Sequence, residues 1–158
     1  MIKIIPFIEK YKDDVVQLVL DIYENELGFV GYERPDIYNI CETYQEDAYN
    51  NFWLALNNGE LVGTIGLLGK TKELAYLKRM VIKKEFRKKG LGKKLLQTAL
   101  TFAKKQGFKI IYAGTVLENP NAIQFYKHYG FIQCNDTPND ITAADDSICL
   151  KLDLYSNI

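Results

Sequence analysis

The stretch Arg87-Lys88-Lys89-Gly90-Leu91-Gly92-Lys93 sits where the chain changes period. Before it, residues 74–83 have the length and composition of a strand. After it, Leu91, Leu95, Leu96, Ala99, Leu100 and Ala103 fall on one helical face that Gly107 closes. A helix start presents several backbone amides without internal acceptors and carries partial positive charge, and glycine lets an anion approach the chain with no side chain between. Arg87, Lys88, Lys89 and Lys93 add cations around the same point. The junction therefore reads as a candidate phosphate cradle. It is not a P-loop, because the Gly-Lys-Ser/Thr ending is absent, and it lacks the third glycine of a dinucleotide turn.

Working outward, residues 109–116 read as a strand, so that strand, helix and strand form a right-handed crossover unit with parallel strands. Upstream, residues 52–56 and 61–68 are strand-like runs around the turn Asn57-Asn58-Gly59-Glu60, which predicts an antiparallel hairpin continued by 74–83. Residues 1–7 predict a first strand ended by Pro6. Val15, Val19 and Ile22, with Val16, Leu20 and Tyr23, predict a helix over 11–27 stopped by Gly28. Residues 28–51 are polar, acidic and aromatic, with only a short helical possibility near 37–44. Asn119 and Pro120 form a helix start, and Gly130 its end. Residues 131–134 and 148–154 predict a closing strand pair around the polar loop 135–147. No repeat or linker interrupts 1–158, which reads as one domain.

Composition narrows the function. The 158 residues are 47% apolar and 25% charged, an ordinary globular balance that excludes disordered and collagen-like classes. No apolar run is long enough to span a bilayer and the start lacks a signal-peptide core, so a cytoplasmic location without membrane partners is expected. Cys41, Cys134 and Cys149 show no close spacing, so neither a disulfide framework nor a metal site is expected. The formal charge is zero, yet residues 78–109 hold twelve Lys or Arg against one acid, Glu85, leaving eight basic and nineteen acidic residues elsewhere. Such a run is either a solvated helix face or the seat of an anionic ligand; a nucleic-acid surface is disfavoured by the acidic remainder.

Arg87, Gly90 and Gly92 match the Arg/Gln-x-x-Gly-x-Gly/Ala signature of the GNAT superfamily of N-acetyltransferases. Asn119, Ala122, Phe125, Tyr126, Gly130 and Phe131 match its second recurring pattern. The chain resembles that superfamily over nearly its whole length. The resemblance implies an α/β (α+β) fold: a mixed, mostly antiparallel sheet of six to seven strands, splayed at the central parallel pair and flanked by about four helices. It implies acetyl-coenzyme A as cosubstrate, no metal, and transfer of its acetyl group to a primary amine of a small molecule or a protein by direct attack in a ternary complex. A catalytically weak acetyl-coenzyme A-binding regulatory module is the alternative, and the protein is expected to be a monomer or homodimer.

By the same resemblance the pantetheine arm lies along Met80, Val81 and Ile82, and the pyrophosphate sits on Arg87, Lys88, Lys89, Gly90, Leu91, Gly92 and Lys93. Asn119 contacts pantetheine, although capping a helix would also explain it. Tyr126 donates a proton to the departing thiolate, or else packs a helix on the sheet. His128, about 200° round the helix from Tyr126, is expected to be exposed or packed. Glu73 is the candidate base, on the ground that many members carry a glutamate on that strand; surface exposure would explain it equally well. Lys78 and Arg79 are expected on opposite faces of their strand. If Arg79 reaches the acceptor it favours a carboxylate-bearing substrate, whereas Glu33, Asp36, Glu42, Glu46 and Asp47 would favour a cationic amine. These two expectations stay open at the level of sequence.

Overall fold

The computed structural model describes residues 1–115, 119–136 and 148–155. Seven strands form one sheet in the order β1-β2-β3-β4-β5-β7-β6, with β1 (Ile2–Pro6), β2 (Asn51–Asn57), β3 (Glu60–Gly69), β4 (Leu74–Ile82), β5 (Ile110–Thr115), β6 (Ile132–Gln133) and β7 (Ile148–Asp153). Every adjacent pair is antiparallel except β4 and β5. The mixed, mostly antiparallel sheet and its central parallel pair are as the sequence predicts. Val116, at the end of one predicted strand, and 137–147, within the predicted loop, lie outside the described residues.

Both faces of the sheet are covered. Helix α1 (Lys12–Leu20) and the short α2 (Pro35–Tyr38) lie on one face, α3 (Leu91–Gln106) and α4 (Pro120–His128) on the other. β2 shows why: Phe52, Leu54 and Leu56 pack in the α1 cluster while Trp53 and Ala55 pack in the α3 cluster, so alternate residues feed two cores. α3 buries Leu91, Leu95, Leu96, Ala99 and Ala103 and stops where Gly107, at φ 93°, turns left-handed. The predicted helix 11–27 is built in three pieces. A 3-10 turn (Glu9–Tyr11) leads into α1, and a π-helical segment (Asp21–Glu26) follows before Gly28 ends it at φ 77°.

Two departures from regular sheet geometry make the site. The parallel ladder is short: Leu74, Ala75 and Tyr76 pair with Ile110, Ile111 and Tyr112, after which β4 continues to Ile82 beside β3 alone. The second departure is a bulge. Thr64 pairs with Val81 and Gly66 with Lys78, so Arg79 and Met80 stand against the single residue Ile65, with Arg79 at φ 54°. The buried Thr64 hydroxyl donates to the Arg79 carbonyl at 2.7 Å and satisfies the distorted backbone.

The bulge shifts the alternation of β4 by one residue. Ala75 and Leu77 face the α3 core, and after the bulge Met80 and Ile82 do so while Val81 joins the α1 cluster. The expectation that Lys78 and Arg79 point to opposite faces is corrected: Leu77 faces the α3 core, so Lys78 lies on the other face, and the bulge keeps Arg79 on that face too, where it bonds Asp36.

Candidate active site

Where β4 and β5 part, a cleft of about 980 Å³ opens. One wall is the unpaired edge of β4, from Leu77 to Ile82; the far wall is α4 with Gly114 and Thr115 at the end of β5. Arg87, Lys88, Gly90, Gly92 and Lys93 line one end. Ile22, Tyr23, Glu26, Leu27 and Phe29 line the side formed by the π-helical segment and the loop after it. That segment widens the helix and turns its last residues toward the cleft, a contribution that sequence periodicity did not announce.

The start of α3 is opened by left-handed backbone. Lys88 and Gly90 have positive φ (60° and 84°), no side chain caps α3, and its first turn holds no acid. The opening amides of α3 are thus left to an external acceptor, beside Lys88 and Lys93. Gly92 has a packing role: a Cβ there would lie 3.0 Å from Phe125 Cε1 and 3.4 Å from Ile82 Cδ1. Gly92→Val is expected to lower stability by about 1–3 kcal/mol, read as a lower denaturant midpoint, because the ring and the helix start cannot both keep their places.

Not every expected cradle residue faces the cleft. The side chain of Leu91 is buried in the α3 core, leaving only its backbone for a ligand, and Lys89 is exposed away from the lining. Arg87 is engaged on both prongs: Nε donates to the Ile82 carbonyl at 2.8 Å and Nη2 to Glu26 Oε2 at 2.7 Å. It ties the cradle to the π-helical segment and occupies one carbonyl of the β4 edge. Glu26, which no sequence pattern singled out, is thereby held at the cleft wall.

α4 brings Tyr126 to the β4 edge. Asn119 accepts from the Ala122 amide at 3.4 Å and Pro120 opens the helix, so its cap acts as predicted while Asn119 also lines the cleft. Tyr126 is 7% exposed, its ring 5.1 Å from Phe131 and 5.5 Å from Phe125, and its hydroxyl donates to Met80 Sδ at 3.6 Å. His128 is exposed, edge-on to Tyr129. Glu73 is not brought here. It lies ahead of β4 at the end where β4 and β5 are joined, its carboxylate is exposed, and it pairs with Lys109 at 3.1 Å. Seven residues of extended chain separate it from Met80, roughly 23 Å, too far for a base serving Tyr126's neighbourhood.

Arg79 and Asp36 resolve each other. Arg79 Nε and Nη2 donate to the two Asp36 oxygens at 2.9 and 2.8 Å, the Tyr44 hydroxyl donates to Asp36 Oδ2 at 2.7 Å, and the guanidinium lies 5.4 Å from the Tyr23 ring centre. Burial alone would raise the Asp36 pKa, but the hydrogen bonds and charge of Arg79, helped by Tyr44 and Lys78, hold it below the ordinary carboxylate value. Burial would lower that of Arg79, and Asp36 more than offsets it. Tyr44, fully buried, is held well above an ordinary phenol by burial and by the neighbouring carboxylate. Of the acids expected to compete with Arg79, Asp36 is consumed by it, and Glu33, Glu42, Glu46 and Asp47 are not in the cleft lining.

Among the described residues no cluster of His, Cys, Asp or Glu could hold a metal ion, and no helix is long and apolar enough to cross a membrane. The family model of the acetyltransferase (GNAT) family matches residues 13–131. Rat N-acetyltransferase 8 is 30% identical over 113 residues, 68% of this chain and 51% of its own, and the Escherichia coli protein described as uncharacterized N-acetyltransferase YjgM is 32% identical over 100 residues, 61% and 59%. The chain spans about half the length of the curated relatives it matches. Among solved structures, a GNAT-family acetyltransferase from Staphylococcus aureus is 32% identical, with a TM-score of 0.90 over 98% of this chain and 99% of that one. An aminoglycoside 6'-N-acetyltransferase solved with coenzyme A shares the fold at 18% identity and a TM-score of 0.74, over 99% of each chain. A splayed β4–β5 pair, a glycine-opened helix at its end and a family model that covers both lead to one conclusion: the chain belongs to the GNAT family of acetyltransferases.

Proposed function

We propose that the protein transfers the acetyl group of acetyl-coenzyme A to a primary amine, of a small molecule or a protein, by direct attack within a ternary complex. The observation that carries this reading is the convergence of three features in one cleft: the unpaired β4 edge over 77–82, the uncapped start of α3, and the Tyr126 hydroxyl. The edge offers backbone amides and carbonyls to an extended amide-bearing arm, as an added strand would. The α3 start and Lys88 and Lys93 suit a diphosphate. Asn119 stands beside the arm's path.

Acetyl-coenzyme A supplies the thioester, and the chain supplies orientation and a proton. The β4 amides near Met80 and Val81 are suited to stabilise negative charge on the thioester oxygen. Tyr126 then serves the sulfur. Its hydroxyl already donates to a sulfur, Met80 Sδ, which is a weak neutral acceptor; a thiolate accepts far more strongly, so the exchange of partners is favourable. Neither the motif residues nor this chemistry draws on Cys41, Cys134 or Cys149.

Titration of coenzyme A by calorimetry, followed by incubation of the protein with acetyl-coenzyme A and a panel of amines while thiol release is measured, tests the proposal. Binding heat and amine-dependent thiol release are the expected results. Binding without release for any amine would favour a regulatory module, and no binding would remove the proposal altogether.

A further inference from the structure

The sheet brings together two thiols that the sequence keeps apart. β6 and β7 run antiparallel with Ile132 opposite Lys151 and Gln133 opposite Leu150, and at the next rung the Cys134 amide donates to the Cys149 carbonyl at 2.9 Å. Cys134 and Cys149 therefore face each other one rung beyond the β6–β7 ladder, joined by that one backbone bond, and a rung of this kind sets Cα atoms about 5.5 Å apart with both side chains on one face. That separation falls inside the span that disulfides bridge, roughly 4.4–6.8 Å. Ile148 and Leu150 on either side of Cys149 face the α3 core, so Cys149 and the residue opposite it lie on the other face of the sheet. Each is partly exposed, so a small reagent can reach it. Cys41 is elsewhere, at the start of the segment Cys41–Gln45, where its thiol donates to Glu9 and to Gln45.

We propose that Cys134 and Cys149 form a modification site, a dithiol that exchanges with a low-molecular-weight disulfide to close an internal disulfide across β6 and β7. One cysteine, as thiolate, attacks a sulfur of the small disulfide, forms a mixed disulfide and expels one small thiolate, which takes up the proton released. The opposed cysteine, also as thiolate, attacks the protein sulfur of that mixed disulfide. The Cys134–Cys149 bond forms and the second small thiol leaves. The protein gives up two electrons and two protons, and the small disulfide is reduced to two thiols. Because the new bond is partly exposed, it stays open to reduction by the reverse exchange.

The test treats the intact chain with glutathione disulfide, blocks remaining thiols with an alkylating reagent, and measures mass and a non-reducing peptide map. The expected product has lost the mass of two hydrogens and keeps one of its three thiols, at Cys41, with a cross-linked peptide pair carrying Cys134 and Cys149. Dithiothreitol should restore all three. Cys134→Ser and Cys149→Ser should each stop at a stable glutathione adduct on the remaining member of the pair. The proposal fails if the wild-type chain accumulates adducts at Cys134 and Cys149 without an internal bond, if no bond forms at excess reagent, or if the bond that forms joins Cys41 or two copies of the chain.

Discussion

Tyr126→Phe is expected to lower the turnover number about a hundredfold, at the lower end of what a positioned proton donor contributes, while coenzyme A binds as before. The substitution removes one oxygen and leaves the ring. That ring is 93% shielded, wedged between Phe125 and Phe131, so the packing of α4 on the sheet survives and the loss is confined to the hydroxyl. What disappears is a donor aimed at the β4 edge, where the Met80 Sδ contact marks its reach. An interaction made only as the thiolate departs lowers turnover and the specificity constant together and leaves ground-state affinity alone. Steady-state thiol release with calorimetry on the same variant gives both quantities. Equal turnover of the variant and the parent across the pH range would show that the hydroxyl takes no part.

Asp36→Ala is expected to cost about 3–5 kcal/mol of folding stability, the usual penalty for leaving a buried charge without its partner. Arg79 is 8% exposed and stays protonated, since its pKa is already raised. Removing Asp36 leaves both guanidinium prongs and the Tyr44 hydroxyl without an acceptor, at a bulge whose carbonyl Thr64 holds in place. Replacing the pair together, as Asp36→Leu with Arg79→Met, should recover much of the loss, because no uncompensated charge remains. Urea unfolding of the two singles and the double forms the cycle that isolates the coupling.

The same pair sets an acid limit. The folded pKa of Asp36 lies below its ordinary 3.8, so the folded state holds fewer protons there than the unfolded chain. Its stabilisation is fully present above that value and is lost as pH falls through the lower folded one. Asp36→Asn, which cannot titrate, should be less stable than the parent at neutral pH and should narrow the gap as the solution is acidified. A gap that stayed constant into strong acid would mean that the carboxylate charge contributes nothing.

Much of this was legible before any coordinates. The helical face of α3, its glycine boundaries, the hairpin at Asn58 and Gly59 and the Asn119-Pro120 start are local statements, set by side-chain period and by backbone conformations that few residues adopt. Such signals lie within a turn or two of the residues that send them, so the anion-ready helix start at Arg87 to Lys93 could be read from the chain alone, whereas Tyr126 was singled out by the family pattern it matches. Glu73 could not be judged in that way. Its strand was correctly read, but which end of that strand opens depends on where β5 stops pairing with it, and Glu73 sits at the closed end.

Sequence by itself determined the order of strands and helices and the glycine-opened start of α3, because periodicity, glycine and capping act between near neighbours. Tertiary structure alone decided three things: the bulge that sends Arg79 to Asp36 43 positions away, the π-helical turn that offers Tyr23 and Glu26 to the cleft, and the meeting of Cys134 with Cys149. Each is a pairing between distant segments or a one-residue slip in register. Such choices are settled by which whole sheet buries both of its faces best, a comparison that no short stretch of chain contains.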